Sequence, residues 1–343
     1  MKNTMLAAVF EGEGKLRIRH VPVPELIQDD DVLIKVKMAS ICGTDVQILK
    51  VPAAHPATTG VILGHEYVGT VVRTGRKVVG IEIGDNVVVE PNLSCGHCEY
   101  CKTGNPNLCM NMTTFGIFEN GGFAEFSLVP VRTVHKLKPK FSLETAVFAE
   151  PLSCVVNSIN KLNPRQSDCV VVLGAGPIGL LFIKVLKAMG VRKIIVSQRS
   201  ALRQQVATEC GATIVVDPTK QNIVEIVKAE TGSGADIVIE CVGSLLQDAI
   251  SSCRKGGKVL LFGLNSHATA EIKPFEVTHK EIEIIGSFIS KFTFPPAITM
   301  LENKIIDVTN LITHRFALDE FEKGLEVALE GKAIKVLITP PRG

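Results

Sequence analysis

The chain has 343 residues, 46% of them hydrophobic and 21% charged, with a formal net charge of +2. That supplies apolar material for two domains, or for one large domain with an insertion. The near-zero charge balance, without a long basic run, argues against a nucleic-acid partner.

The first apolar run, Met5 to Phe10, is followed at once by Glu11 and Glu13, too short a stretch for a secretory signal. The longest apolar stretch, Cys169 to Gly190, carries Gly174, Gly176, Pro177, Gly179 and Lys184. It breaks into strand, turn and helix, so no membrane span is expected. A cytoplasmic protein keeps its thiols reduced, and the ten cysteines read as ligands or small core residues rather than disulfides.

A lone cysteine stands in ICGTD at Cys42, LGHEY follows with His65 and Glu66, and AEPLSC carries Glu150. Thiolate, imidazole and carboxylate together make a three-ligand site with one position left open, the arrangement of a Lewis-acid zinc. Each also has a plainer reading: Cys42 as a core thiol, His65 as a loop histidine, Glu150 as a carboxylate favoured at a helix start.

Between them, Cys95, Cys98, Cys101 and Cys109 follow C-x2-C-x2-C-x7-C, with turn-forming Gly96, Gly104 and Pro106. Four thiolates fill a tetrahedral zinc completely and leave no room for substrate, which makes this a structural metal. Packed neutral thiols and an iron–sulfur cluster are the alternatives. The polar loop disfavours the first, and the spacing matches neither common ferredoxin pattern.

Residues 168–190 read as a buried strand, Cys169 to Leu173, then the G-x-G-x-x-G of Gly174, Gly176 and Gly179, then a helix. Such a turn brings a pyrophosphate against backbone at a helix N-terminus. Alternating strands and helices continue through KIIVS, ALRQQVATECG, TIVVD, NIVEIVKAET, ADIVIECVG and KVLLFG. The expected fold is therefore α/β, with a doubly wound parallel sheet over about 150–286. The second strand ends in VSQRS, where an acidic residue would bind the ribose of NAD. Ser197, Gln198, Arg199 and Arg203 stand there instead, so nothing repels a 2′-phosphate and arginine can clamp it. NADP(H) is favoured over NAD(H), with plain solvation of the two arginines as the alternative. Cys154, Cys169, Cys210, Cys241 and Cys253 are expected as core thiols.

Taken together, ICGTD, LGHEYVGTVV, CGHCEYCKTGNPNLC, FGIFENGGFAEF, AEPLSCVV, VLGAGPIGLL, ECVG and ITHRFALDEFEKGLE resemble the zinc-dependent medium-chain dehydrogenase/reductase family along essentially the whole chain. The polyol, or sorbitol-type, branch is especially similar. The resemblance implies a GroES-like β-rich catalytic domain over 1–149 and 287–343, a Rossmann cofactor domain over 150–286, and a homodimer or homotetramer acting on a small-molecule alcohol or ketone. It implies two zinc ions per subunit. One is catalytic, on Cys42, His65 and Glu66, with Glu150 as a fourth ligand or a holder of water. The other is structural, on the four clustered cysteines. Thr44 matches the hydroxyl that takes the alcohol's proton. Pro177, Ile178, Cys241, Val242 and Gly243 join the cofactor contacts.

Three departures stand out. Gln47 replaces a relay histidine and cannot titrate. Ile289 and Ser290 replace an arginine and a tyrosine that anchor sorbitol-type substrates. Gln198 replaces an aspartate, as in NADP-using ketose reductases. The rival readings are a threonine-type amino-alcohol dehydrogenase and, more distantly, a dinucleotide-binding relative without catalysis.

Overall fold

A computed structural model of the chain describes residues 3–341. It divides into two compact units. The first takes the described residues up to Pro151, then Phe294–Lys304, then the described residues from Ile312 onward.

Its main sheet runs Ile312–Ala317, Lys335–Thr339, Asp31–Ile41, Tyr67–Thr74, Asn86–Val89 and Val134–Lys136, with Phe126–Pro130 also paired to Asp31–Ile41. The long Asp31–Ile41 strand is apolar enough to be covered on both faces, and it forms the spine of this sheet. Its antiparallel neighbour on one side places Tyr67 opposite Ala39. On the other side, Val336 lies opposite Ile41. Ile34, Val36, Leu63, Tyr67, Phe123 and Phe321 belong to the core of this unit, with the Phe123 and Phe321 rings edge to face at 4.7 Å. The cysteine-rich segment forms a small lobe built on the short helix Glu99–Lys102 and a 3-10 turn at Pro106–Leu108.

The second unit comprises Leu152–Thr293 and Ile305–Leu311. Among the described residues it holds a six-stranded sheet, parallel throughout. The order is Ile214–Val216, Lys193–Ser197, Cys169–Leu173, Ala235–Glu240, Cys253–Leu261, Glu283–Gly286. The first strand of the unit thus lies beside the fourth, which creates the switch point of a doubly wound fold. Cys169–Leu173 is buried at every position, as an unbroken apolar run in a central parallel strand must be.

The return to the first unit comes later than the sequence suggests. Ser287–Thr293 stays with the second unit, tied to the helix Ala149–Leu162 by side-chain hydrogen bonds. The Ser158 hydroxyl donates to that of Ser287 (2.9 Å), Asn157 Nδ2 donates to the Ile289 carbonyl (2.7 Å), and the Thr293 hydroxyl donates to the Ser153 carbonyl (2.7 Å). Of the expected core thiols, Cys154, Cys169, Cys210 and Cys253 are buried. Cys241 is half-buried, because it opens the loop after its strand instead of lying within it. No helix of the described residues is long and apolar enough to cross a membrane.

Candidate active site

Two adjacent strands of the first unit converge on one point. Asp31–Ile41 ends just before Cys42, and Tyr67–Thr74 begins just after Glu66. Antiparallel pairing brings that end and that start together, so Cys42, His65 and Glu66 present ligand atoms within 4.8 Å of one another.

Cys42 is also the N-cap of the short helix Gly43–Ile48, and its backbone N–H donates to Asp45 Oδ2 at 2.8 Å. This capping fixes the thiol's backbone and buries Asp45 completely. Asp45 Oδ1 lies 3.6 Å from His65 Nδ1, close enough for charge attraction but too long for a hydrogen bond. The Thr44 hydroxyl lies 3.7 Å from the Cys42 sulfur.

Glu66 is fully buried. Its Oε2 accepts from the Ser40 hydroxyl and from the Nζ of Lys335. Its Oε1 is buried and has no hydrogen-bond partner. Burial works against a charge on Glu66, but Lys335, with His65, outweighs it and holds the pKa below the ordinary glutamate value. Burial likewise opposes a charge on His65. The Cys42 sulfur and the Asp45 carboxylate prevail, and its pKa stands well above that of an ordinary histidine. Sulfur, imidazole and carboxylate, with Glu66 Oε1 and His65 Nδ1 both buried and unpaired, are a donor set that asks for a cation.

Glu150 is buried in the first turn of Ala149–Leu162 but stands outside the three-residue group. Its charge is felt at Lys335. Gln47, the expected departure from a relay histidine, accepts at Oε1 from Lys50 Nζ at 2.9 Å.

The four clustered cysteines come together as the spacing predicts. Cys98 Sγ is 3.5 Å from Cys101 Sγ and 3.8 Å from Cys109 Sγ, far beyond a disulfide. Thiolates ~2.3 Å from one tetrahedral ion have sulfurs about 3.8 Å apart, so the cluster has the dimensions of a zinc shell. Backbone amides point at these sulfurs. The Cys95 N–H donates to Cys109 (3.2 Å), the Cys98 N–H to Cys95 (3.4 Å), and the Asn111 N–H to Cys109 (3.4 Å). The His97 amide, followed by other donors, pulls the Cys95 thiol down to about 6.

In the second unit the strands end in register, with Ser197 and Glu240 flanking Leu173 on either side. The loops carrying Gly174–Gly176, Gln198–Ser200 and Cys241–Gly243 therefore open on one edge of the sheet. Gly179 packs so tightly that a Cβ there would meet the Gly174 carbonyl oxygen at 2.0 Å. Gly176 differs: a Cβ on it would meet nothing within 4 Å. It caps the helix Pro177–Ala188 without any side-chain hydrogen bond, so the amides of the first turn, past the proline, are left for an anion. Ile178 lies in that first turn.

Glu240, unnoticed in the sequence, shapes the neighbouring loop. Its Oε1 accepts from the amides of Val242 (2.8 Å) and Gly243 (2.7 Å). Gln198 Oε1 accepts from the Ser200 amide at 3.0 Å, and Gln204 Nε2 donates to the Gln198 carbonyl at 2.7 Å. Arg199 is exposed, whereas Arg203 is half-buried and burial lowers its pKa.

Sequence reasoning missed Asp45, Ser40, Glu240 and above all Lys335. Asp45 had a local signal, since it stands three residues after the N-cap, where a capping partner belongs. Lys335 had none, being separated from Glu66 by most of the chain.

Residues 28–139 match the family model of the alcohol dehydrogenase GroES-like domain, and residues 177–303 that of the zinc-binding dehydrogenases. The chain is 34% identical to a sorbitol dehydrogenase of Bombyx mori over an alignment of 343 residues covering 97% of each. It is 33% identical over 340 residues to an L-threonine 3-dehydrogenase of Burkholderia mallei, covering 97% of this chain and 98% of that one. Among solved structures, a zinc-binding dehydrogenase from Sinorhizobium meliloti 1021 bound to NADP aligns with a TM-score of 0.94 at 34% identity, over 99% of this chain and 100% of that one.

Proposed function

The chain belongs to the zinc-binding dehydrogenase family with its GroES-like domain, and we propose that it moves a hydride between NADP(H), used in preference to NAD(H), and a secondary alcohol or ketone of the polyol class, including sugar alcohols and their phosphates. The observation that carries this is the convergence of Cys42, His65 and Glu66 within 4.8 Å, with a buried carboxylate oxygen left unpaired.

Cys42, His65 and Glu66 hold the catalytic metal, with Glu150 as the carboxylate for water or exchange. Cys95, Cys98, Cys101 and Cys109 hold a second, structural zinc. When bound, zinc supplies Lewis-acid polarisation of the substrate oxygen, and the dinucleotide supplies or accepts the hydride. Asp45 orients His65, and the capped Cys42 backbone keeps the thiol in place. The Thr44 hydroxyl takes the proton as it leaves the alcohol. Gln47 cannot titrate, so the proton leaves through water. The turn at Gly174, Gly176 and Gly179 seats the pyrophosphate, with Pro177 and Ile178 in the first helical turn and Cys241, Val242 and Gly243 beside it. Ser197, Gln198, Arg199 and Arg203 receive the adenine ribose and its 2′-phosphate.

The first unit thus carries the metal chemistry and the second the dinucleotide. The enzyme is expected to work in the cytoplasm as a homodimer or homotetramer. A threonine-type substrate is the second reading, favoured by the relative that shares it and by Ile289 and Ser290 in place of polar sugar anchors. One substrate panel decides: ketoses, simple ketones, sugar phosphates and threonine, each with both cofactors. Polyols and ketoses should turn over with NADP(H). Activity confined to the amino alcohol would replace the polyol reading, and equal rates with NADH would remove the arginine argument.

A further inference from the structure

Lys335 is a fully enclosed cation, 2% exposed, with no part in the binding scheme above. It opens the strand Lys335–Thr339, which pairs Val336 with Ile41, so its backbone is anchored beside the end of the strand that delivers Cys42. Its Nζ lies 5.7 Å from the centroid of the Phe148 ring and contacts one oxygen of Glu66, Oε2. The Ser40 hydroxyl donates to the same oxygen. Oε1 is left without a partner among the described residues, on a carboxylate whose neighbours Cys42 and His65 bring their ligand atoms within 4.8 Å.

A free carboxylate can bind a metal through one oxygen or both. Two Glu66 oxygens plus Cys42 and His65 would fill four positions and close a tetrahedral site. One oxygen leaves a position for substrate. We propose that Lys335 is a positioning residue that confines Glu66 to a single ligand oxygen and so keeps the metal group of Cys42, His65 and Glu66 open. This rests on the dehydrogenase reading above. Ser40 assists but carries no charge, and a neutral hydroxyl competes poorly with a divalent ion for a carboxylate oxygen.

The claim separates from simple neutralisation of a buried charge, because neutralisation predicts nothing about whether the fourth position is open to an added ligand. The experiment loads the full-length protein with cobalt(II). The spectrum of Cys42→Ser is subtracted so that the four-cysteine cluster cancels. Wild type should show strong four-coordinate absorption that shifts when imidazole, a neutral ligand, is added. In Lys335→Met the second Glu66 oxygen takes the open position, so the absorption should stay four-coordinate but move to a different maximum, and imidazole should no longer shift it. The double variant Lys335→Met/Glu66→Gln should regain both features, since an amide offers the metal only its one oxygen. Should Lys335→Met not fold, Lys335→Gln fills the same space without charge and carries the same expectation. A single variant with the wild-type spectrum and response to imidazole refutes the proposal, as does a double variant no different from the single. Failure of the wild type to bind cobalt at Cys42 would instead overturn the dehydrogenase reading itself.

Discussion

Gly176→Ala tests whether this chain is shaped for a dinucleotide. A Cβ there meets no atom of the protein within 4 Å, and the backbone, at φ −68° and ψ −178°, suits alanine. The folded chain by itself therefore gives no reason for glycine at this position. Alanine is the poorer N-cap, but it restricts the unfolded chain, and the two effects offset to within about 0.5 kcal/mol. A bound pyrophosphate changes the balance, because the added methyl stands where the phosphate must approach. Overpacking of that kind costs about 1–3 kcal/mol, which is about 5- to 150-fold in affinity. Gly179→Ala is the contrasting variant. Its Cβ would lie 2.0 Å from the Gly174 carbonyl oxygen, so turn and helix must part by about 1 Å and stability falls by about 1–3 kcal/mol as well. NADPH titration by fluorescence and urea unfolding of the cofactor-free protein read the two quantities separately. Gly176→Ala should unfold like wild type and bind NADPH weakly. If it binds NADPH as tightly as wild type, the cradle argument is wrong.

Cys42→Ser should abolish turnover, lose one of two zinc equivalents and leave the fold intact, whereas Cys98→Ser should lose the other zinc and lower the unfolding midpoint; metal analysis with far-UV circular dichroism distinguishes them. Asp45→Asn keeps an acceptor for the Cys42 amide but removes the charge beside His65, and should weaken zinc at that group by about 10- to 100-fold in a chelator competition. Asp236 accepts from the Cys169 amide and from Arg254 Nε, each at 2.7 Å, so Asp236→Ala should cost about 1–3 kcal/mol at neutral pH. Burial resists the charge on Asp236, but the Cys169 amide and Arg254 hold its pKa below the ordinary aspartate value. Its contribution is therefore whole above the usual aspartate range and disappears as pH falls through the lowered value. Urea midpoints of wild type and variant should converge there, and a gap that persists in acid would contradict this account.

Local patterns in the sequence determined a great deal. The cysteine spacing, the glycine turn between an apolar strand and a helix, and the alternation of strands and helices each lie within a few dozen residues. Short-range chemistry alone dictates them: two-residue loops gather thiols, and a fully buried parallel strand has to be apolar. Proximity between distant segments was decided only in three dimensions. Strand register placed Cys42 against His65 and Glu66, while Glu150, carried on a helix, stands outside that group. The same register brought Lys335 from near the end of the chain onto one chosen oxygen of Glu66. Ser287–Thr293 went with the second unit because Asn157 and Ser158 side chains and the Ser153 carbonyl of a helix far upstream hold its backbone and hydroxyls. A lysine amid apolar neighbours reads as an ordinary surface residue until its partner is known. The energy of a buried charge depends on what lies opposite it, and pairing across the sheet settles that.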